Sequence, residues 1–185
     1  MVRIPEGSAP DFKNKSWAIA AEVDIPKKGA SGIIATIGGR FGGWALLLQD
    51  SKPEFVYAYS NQPEHKFRIA SDQPLSPGTH AVRFAFKYAG GGHGKAATGT
   101  LFVDGKQVAD GQIPQTVGVR FSLDETFDVG EDTGTPVVED YVNKMPFAFT
   151  GTLKKFVVVL EPQKLTEEER KRLLDEEAKA SMSVQ

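Results

Sequence analysis

Apolar residues recur at every second position along most of the chain, which is the spacing of β-strands rather than of helices. The clearest example is THAVRFAFKY, residues 79–88, where one side of the strand carries Val82, Phe84, Phe86 and Tyr88. We expect this side to face a hydrophobic core and the opposite side to face solvent.

Eight further stretches show the same alternation, or a short apolar run bounded by turn residues. These candidate strands are 16–25, 32–38, 43–50, 54–60, 66–71, 99–105, 106–113 and 149–161. The 19 glycines and 11 prolines fall between apolar stretches and do not gather into a linker. Many short strands separated by turn residues predict an all-β fold, a sandwich or a barrel.

A tight hairpin is predicted at Asp104 and Gly105, because this pair readily adopts the positive φ angles of a type I′ turn. The flanking strands would then bring Leu101 and Val103 near Val108. The hairpin is the most specific local prediction that the sequence makes.

Three other strands suggest where the core lies. The run FVVVL at 156–160 is apolar on both sides, which predicts a central strand covered on both faces. Trp17 and Trp44 sit in alternating apolar strands, so we expect both side chains in the core.

The pattern changes to a helical one after Pro162. Thr166 and Glu169 form a capping box at the start of a helix that runs to about Ser181. A narrow apolar stripe would bury little surface: Leu173, Leu174, Ala178 and Met182. The predicted organisation is a β-sandwich domain at 1–161 followed by a helical tail at 162–185.

Composition limits the possible partners. The net charge is −2 with acids and bases interspersed, so we expect no nucleic-acid partner. The absence of cysteine excludes disulfides and thiol chemistry. No stretch approaches the roughly 20 apolar residues that span a bilayer, and the first residues lack the apolar centre of a signal peptide. We expect a soluble chain with no membrane partner, in a compartment that the sequence leaves unknown.

The strongest chemical signal is the acid-rich segment RFSLDETFDVGEDTGTPVVEDY at 120–141. Asp128, Glu131 and Asp132 lie in a glycine-punctuated stretch that can turn sharply enough to bring carboxylates together. Ca²⁺ takes six to eight oxygen ligands, so these three residues are candidate calcium ligands. The spacing is not that of an EF-hand.

Two other interpretations of this segment remain open. It can be a solvated connection whose side chains hydrogen-bond to nearby backbone groups. Asp124 and Glu125 can also be an acid and base pair acting on a glycoside.

No familiar catalytic motif is present. A P-loop alignment on Gly94 and Lys95 fails at both ends, and no zinc-type spacing links the three histidines. In GGRFGGW at 38–44, Arg40 and Phe41 project from a glycine-rich bend, either as a contact for a sugar or a subunit or as a bulged corner.

Several longer segments resemble the C-terminal region of bacterial long-form arylsulfatases. They cover almost the whole chain: VRIPEGSAP, GGRFGGWALLLQDSKPEFVY, TGTLFVDGK, IPQT, RFSLDETFDVGEDTGTPV and the charged helix after VVVLEP. The resemblance implies a concanavalin A-like, laminin-G-like jelly-roll sandwich appended to a catalytic domain. This agrees with the strand count.

The catalytic signature of that family, Cys or Ser followed by x-Pro-x-Arg, is missing. SAPDF at 8–12 and SKPEF at 51–55 both carry Phe where the arginine belongs. The resemblance therefore implies a non-catalytic accessory domain that packs on or assists a sulfatase catalytic domain absent from this chain. The alternative is a calcium-dependent module that binds a glycan or a sulfated glycan.

Overall fold

Two antiparallel β-sheets packed face to face form the body of the chain. A computed structural model describes residues 1–162 and 166–182. In chain order the strands are β1 (Ile4–Pro5), β2 (Trp17–Ile25), β3 (Gly32–Gly39), β4 (Gly42–Gln49), β5 (Lys52–Ala58), β6 (Lys66–Ala70), β7 (Gly78–Tyr88), β8 (Ala97–Val103), β9 (Lys106–Ile113), β10 (Thr126–Val129) and β11 (Thr152–Leu160).

The strands form a jelly-roll sandwich. Sheet A has the order β1-β10-β3-β4-β5-β6, and sheet B has the order β11-β2-β7-β8-β9. The chain passes between the sheets repeatedly, so that strands distant in sequence become neighbours, as in double-sheet jelly rolls. This confirms the predicted all-β fold of two antiparallel sheets. The short strands β1 and β10 were not predicted.

The main core lies between the sheets. All four residues predicted on the inner side of β7 are buried, and Phe84 stacks on Phe55 with ring centroids 3.6 Å apart. Trp17 and Trp44 are also buried, with their ring centroids 5.1 Å apart. The predictions for β7 and for both tryptophans are confirmed.

The hairpin between β8 and β9 forms as predicted at its turn but not along its strands. Asp104 and Gly105 have φ angles of 50° and 79°, as a type I′ turn requires. A bulge then shifts the register, so Leu101 lies opposite Ala109. Val108 is therefore 37% exposed instead of packing near Leu101.

The prediction for FVVVL is wrong, because β11 is an edge strand and not a central one. Phe156 and Val158 pack against the main core. Val157 and Val159 point away from it and are 38% and 57% exposed. Apolar residues on both faces of a strand do not by themselves reveal whether the chain can cover both.

Sheet A, in contrast, is covered on its outer face by the chain itself. Residues 130–148, which we call the cover, run across β3, β4 and β5 after leaving β10. A second buried cluster joins the cover to the sheet: Ile33, Ala45, Leu47, Val56, Ala58, Val137, Val138, Tyr141 and Phe147. A 3-10 helix at Glu139–Lys144 lies within the cover.

The C-terminal helix α1 (Glu167–Met182) starts with the predicted capping box. The Thr166 backbone N–H donates to Glu169 Oε2 at 2.8 Å, and the Glu169 N–H donates to Thr166 Oγ1 at 3.2 Å. Leu174 is exposed. The other side chains of the predicted stripe, Leu173, Ala178 and Met182, lie outside the described residues. Within the described part of the chain, no helix is long and apolar enough to cross a membrane.

Candidate functional site

The acid-rich segment is a strand followed by the cover, and not an open loop. Its residues Thr126–Val129 form β10, which pairs with β3 so that Asp128 lies opposite Thr36. The segment TFDV is too short for alternation to distinguish it from a loop, which is why the sequence did not predict this strand.

Asp128 is buried and fully engaged by hydrogen-bond donors. Its Oδ2 atom accepts from the backbone N–H of Thr133 at 3.0 Å and from the Thr133 hydroxyl at 2.6 Å. Its Oδ1 atom accepts from Thr126 Oγ1 at 3.1 Å and from the backbone N–H of Arg3. Asp128 thus joins the N-terminal strand to the beginning of the cover.

Asp132 plays a similar part further along the cover. Its two oxygens accept from the Gly134 N–H at 3.1 Å and from the Tyr141 hydroxyl at 3.0 Å. The Tyr141 oxygen itself accepts from the Val137 N–H at 2.9 Å. Burial raises the pKa of Asp132 to about 6, although both donors oppose the rise. These hydrogen bonds hold the Asp132 carboxylate beside the apolar cluster that contains Tyr141.

The geometry of these carboxylates favours an internal structural role. Glu131 is only half-buried and lines a separate cleft beside Arg3. Among residues 1–162 and 166–182, no three His, Asp or Glu side chains form a group that could hold a metal ion. Calcium binding by Asp128, Glu131 and Asp132 stays a prediction.

The carboxylates proposed as an acid and base pair also make local hydrogen bonds. Ser122 Oγ donates to Asp124 Oδ1 at 3.0 Å, and the Thr135 N–H donates to Glu125 Oε2 at 3.0 Å. These contacts shape turns in the segment.

A Ser-His-Asp set that the sequence did not predict lies at the end of sheet B. His80 Nδ1 is 2.7 Å from Asp104 Oδ2, and His80 Nε2 is 3.3 Å from Ser76 Oγ. Nε2 also lies 2.9 Å from the Ser76 carbonyl oxygen. A carbonyl only accepts, so this contact is a hydrogen bond when Nε2 carries a proton, and in that state Nε2 cannot take one from the serine hydroxyl. The set is a clamp between the start of β7 and the β8–β9 hairpin.

The candidate contact residues Arg40 and Phe41 occupy the turn between β3 and β4. Phe41 is 68% exposed. Arg40 turns toward the cover, where its Nη1 atom lies 3.2 Å from Glu139 Oε1. The two neighbours therefore face different surroundings, and only Arg40 approaches a cleft.

That cleft, of about 310 Å³, lies between β6 and the 3-10 helix of the cover. We call it the β6 cleft, and its lining residues are Asn61, Pro63, Lys66, Phe67, Arg68, Val138, Glu139 and Asp140. Lys66 and Arg68 both approach the cover because alternate residues of a strand share a face. The alternation in KFR was the available signal, but the sequence did not indicate that Glu139 and Asp140 would meet it.

Comparisons with known proteins identify no family for this chain. No family model matches the chain, and no curated protein gives a significant match. A heptameric SAP-like pentraxin from Limulus polyphemus is similar with a TM-score of 0.44 and 10% identity, covering 84% of this chain and 73% of that one. Domains LG4-5 of the mouse laminin alpha1 chain are similar with a TM-score of 0.48 and 17% identity, covering 89% of this chain and 40% of that one.

The CBM40 domain of a Ruminococcus gnavus IT-sialidase, bound to alpha2,3 sialyllactose, is also similar. Its TM-score is 0.47 at 12% identity, and the match covers 84% of this chain and 80% of that one. Similarity at this level assigns neither a ligand nor an activity.

The hydroxyl of Tyr141 should stabilise the cover. Tyr141→Phe removes the donor to Asp132 and the acceptor for the Val137 N–H. We therefore expect the free energy of unfolding to fall by about 1–3 kcal/mol. Urea denaturation measures this, with Tyr59→Phe as the control because no hydrogen bond of that hydroxyl is found among the described residues. Equal stability of both variants would contradict the role of the Asp132–Tyr141 contact.

The clamp at His80 should make stability depend on pH. The hydrogen bond with Asp104 raises the pKa of His80, so its stabilisation is complete below the unfolded pKa of about 6.5. It is lost as pH rises through the higher folded pKa. Thermal unfolding of the wild type and His80→Gln should therefore differ most at about pH 5.5 and converge in alkaline buffer. A difference independent of pH would contradict the clamp.

Calcium binding can be tested by thermal unfolding in calcium and in EDTA. If the acid-rich segment binds calcium, a concentration about 100 times the dissociation constant adds roughly 2.7 kcal/mol, which raises the midpoint by several degrees. Asp128→Asn and Asp132→Asn should abolish this rise, whereas the exposed control Asp72→Asn should retain it. Superimposable wild-type curves would show that the segment is structural only.

Proposed function

We propose that this chain is a non-catalytic accessory domain that docks on a catalytic domain through the outer face of sheet B. The observation that carries the proposal is β11, a strand with apolar residues on both faces of which only one is covered. On the uncovered face, Val157 and Val159 are 38% and 57% exposed. Burying such side chains gives roughly 25 cal/mol per Å² of apolar surface, which favours association.

The exposed valines continue into a surface suited to close contact. Two cross-strand rows pass over this face: Val157, Ala20, Arg83, Phe102 and Val159, Ala18, Ala85, Thr100. Ala20 in the first row, and Ala18 and Ala85 in the second, leave a shallow trough between taller side chains. The Arg83 guanidinium carbon lies 4.9 Å from the Phe102 ring centroid, so this charge already rests on an aromatic ring.

The two outer faces of the sandwich differ in a way that supports docking on sheet B. The cover buries the apolar residues on the outer face of sheet A. The valines of β11 are exposed, so no segment among the described residues covers the outer face of sheet B in the same way. Interface centres are rich in apolar and aromatic residues with an occasional Arg, and charged residues surround them. Lys87 and Glu161 border the trough in this manner.

The resemblance to long-form arylsulfatases supplies the identity of the partner, a sulfatase catalytic domain. A non-catalytic role is supported by His80, whose Nε2 atom lies closer to the Ser76 carbonyl oxygen, at 2.9 Å, than to the Ser76 hydroxyl, at 3.3 Å. In this proposal the sulfate-ester chemistry belongs to the partner, and this chain completes its surface.

Docking can be measured by adding the intact chain to a bacterial long-form arylsulfatase truncated after its catalytic domain. We expect a complex by calorimetry, together with higher thermal stability of the catalytic domain. Val159→Lys places a charge in the trough and should weaken binding by about tenfold or more.

Val142→Lys is the matched control, since Val142 is 37% exposed on the cover and should tolerate the same change. Absence of binding by the wild type at high concentration would refute the proposal. Equal effects of the two substitutions would show that the interface lies elsewhere.

A further inference from the structure

We infer that the β6 cleft binds a neutral, hydroxyl-rich saccharide without calcium. This site lies on sheet A, on the opposite side of the sandwich from the docking face, so the inference does not depend on the proposed function. Its volume of about 310 Å³ is at the lower limit of ordinary small-molecule sites and suits one or two sugar rings.

Charges in and around the cleft are paired with one another. Arg68 bridges Glu54 and Asp140, while Glu139 lies 3.2 Å from Arg40 and 3.8 Å from Lys66. Three cations thus meet three carboxylates. The network holds these long side chains in place before any ligand arrives, which lowers the entropic cost of binding.

This pairing disfavours a charged ligand. A sulfate or carboxylate group entering the cleft would meet Glu139 and Asp140, whose side chains are 54% and 50% exposed. It would also have to displace carboxylates from Arg68 or Lys66. A bare cation finds no suitable group of three ligating side chains in the described chain. A neutral ligand leaves every ion pair intact.

Sugar hydroxyls suit the mixed polar groups that remain accessible. Each hydroxyl both donates and accepts, so it can donate to Glu139 or Asp140 and accept from Lys66 or Arg68. The Asn61 side chain at the rim offers both functions as well.

Apolar residues provide a surface for the carbon-bound hydrogens of a sugar ring. Pro63 and Val138 line the cleft beside the polar groups. The Phe67 ring itself lies on the opposite face of β6, where it packs against the main core. A neutral saccharide is the ligand class that presents dense hydroxyls and an apolar ring face together.

An array of neutral, sulfated and uronic-acid oligosaccharides, probed in EDTA with the intact chain, tests this inference. We expect binding to neutral saccharides and a weaker signal for their sulfated counterparts. For the best neutral ligand on the array, Glu139→Ala should weaken binding about tenfold or more, because a hydrogen bond to a charged group is lost.

Glu22→Ala, a change of the same type at an exposed position on sheet B, should leave binding unchanged. Asn61→Ala, at an exposed position on the rim, disturbs no ion pair and should also weaken binding, because the Asn61 side chain donates to and accepts from the sugar hydroxyls. A blank array, binding confined to sulfated or uronic-acid saccharides, or equal loss in Glu139→Ala and Glu22→Ala would overturn the inference. The docking measurement is unaffected by any of these outcomes.

Discussion

The apolar character of sheet A on both faces is the constraint on which the rest of the structure depends. Every residue of β3 is buried, and β4 and β5 are buried along nearly their whole length. One face meets sheet B, but the other must be removed from water by a further layer. The cover, residues 130–148, supplies that layer from an acid-rich stretch of chain.

The polar residues of the cover take part in this burial. The Tyr141 ring packs in the apolar cluster and its hydroxyl donates to Asp132, so one side chain both fills the cluster and satisfies a buried carboxylate. A buried carboxylate is tolerable when donors surround it, as they do for Asp128 and Asp132. Where the cover reaches β6, its next carboxylates, Glu139 and Asp140, are left to meet solvent and cations, and a polar cleft results.

The sandwich therefore presents two unlike surfaces on opposite sides. The outer face of sheet B is shallow and partly apolar, with Val159 exposed and alanines between taller neighbours. The β6 cleft is concave and mostly polar, with its charges already paired. The first is the face proposed for docking and the second is the site proposed for a saccharide, and their positions on opposite sides would allow both contacts at once.

The sequence by itself determined the all-β class, most strand positions, the Asp104–Gly105 turn and the helix cap, because these depend on period and local chemistry. The tertiary structure alone decided that β11 is an edge strand and that β10 lies within the acid-rich segment. It also brought Lys66 and Arg68 to Glu139 and Asp140, which are some 70 residues further along the chain. Periodicity assigns side chains to a face, but what covers that face depends on contacts between distant segments.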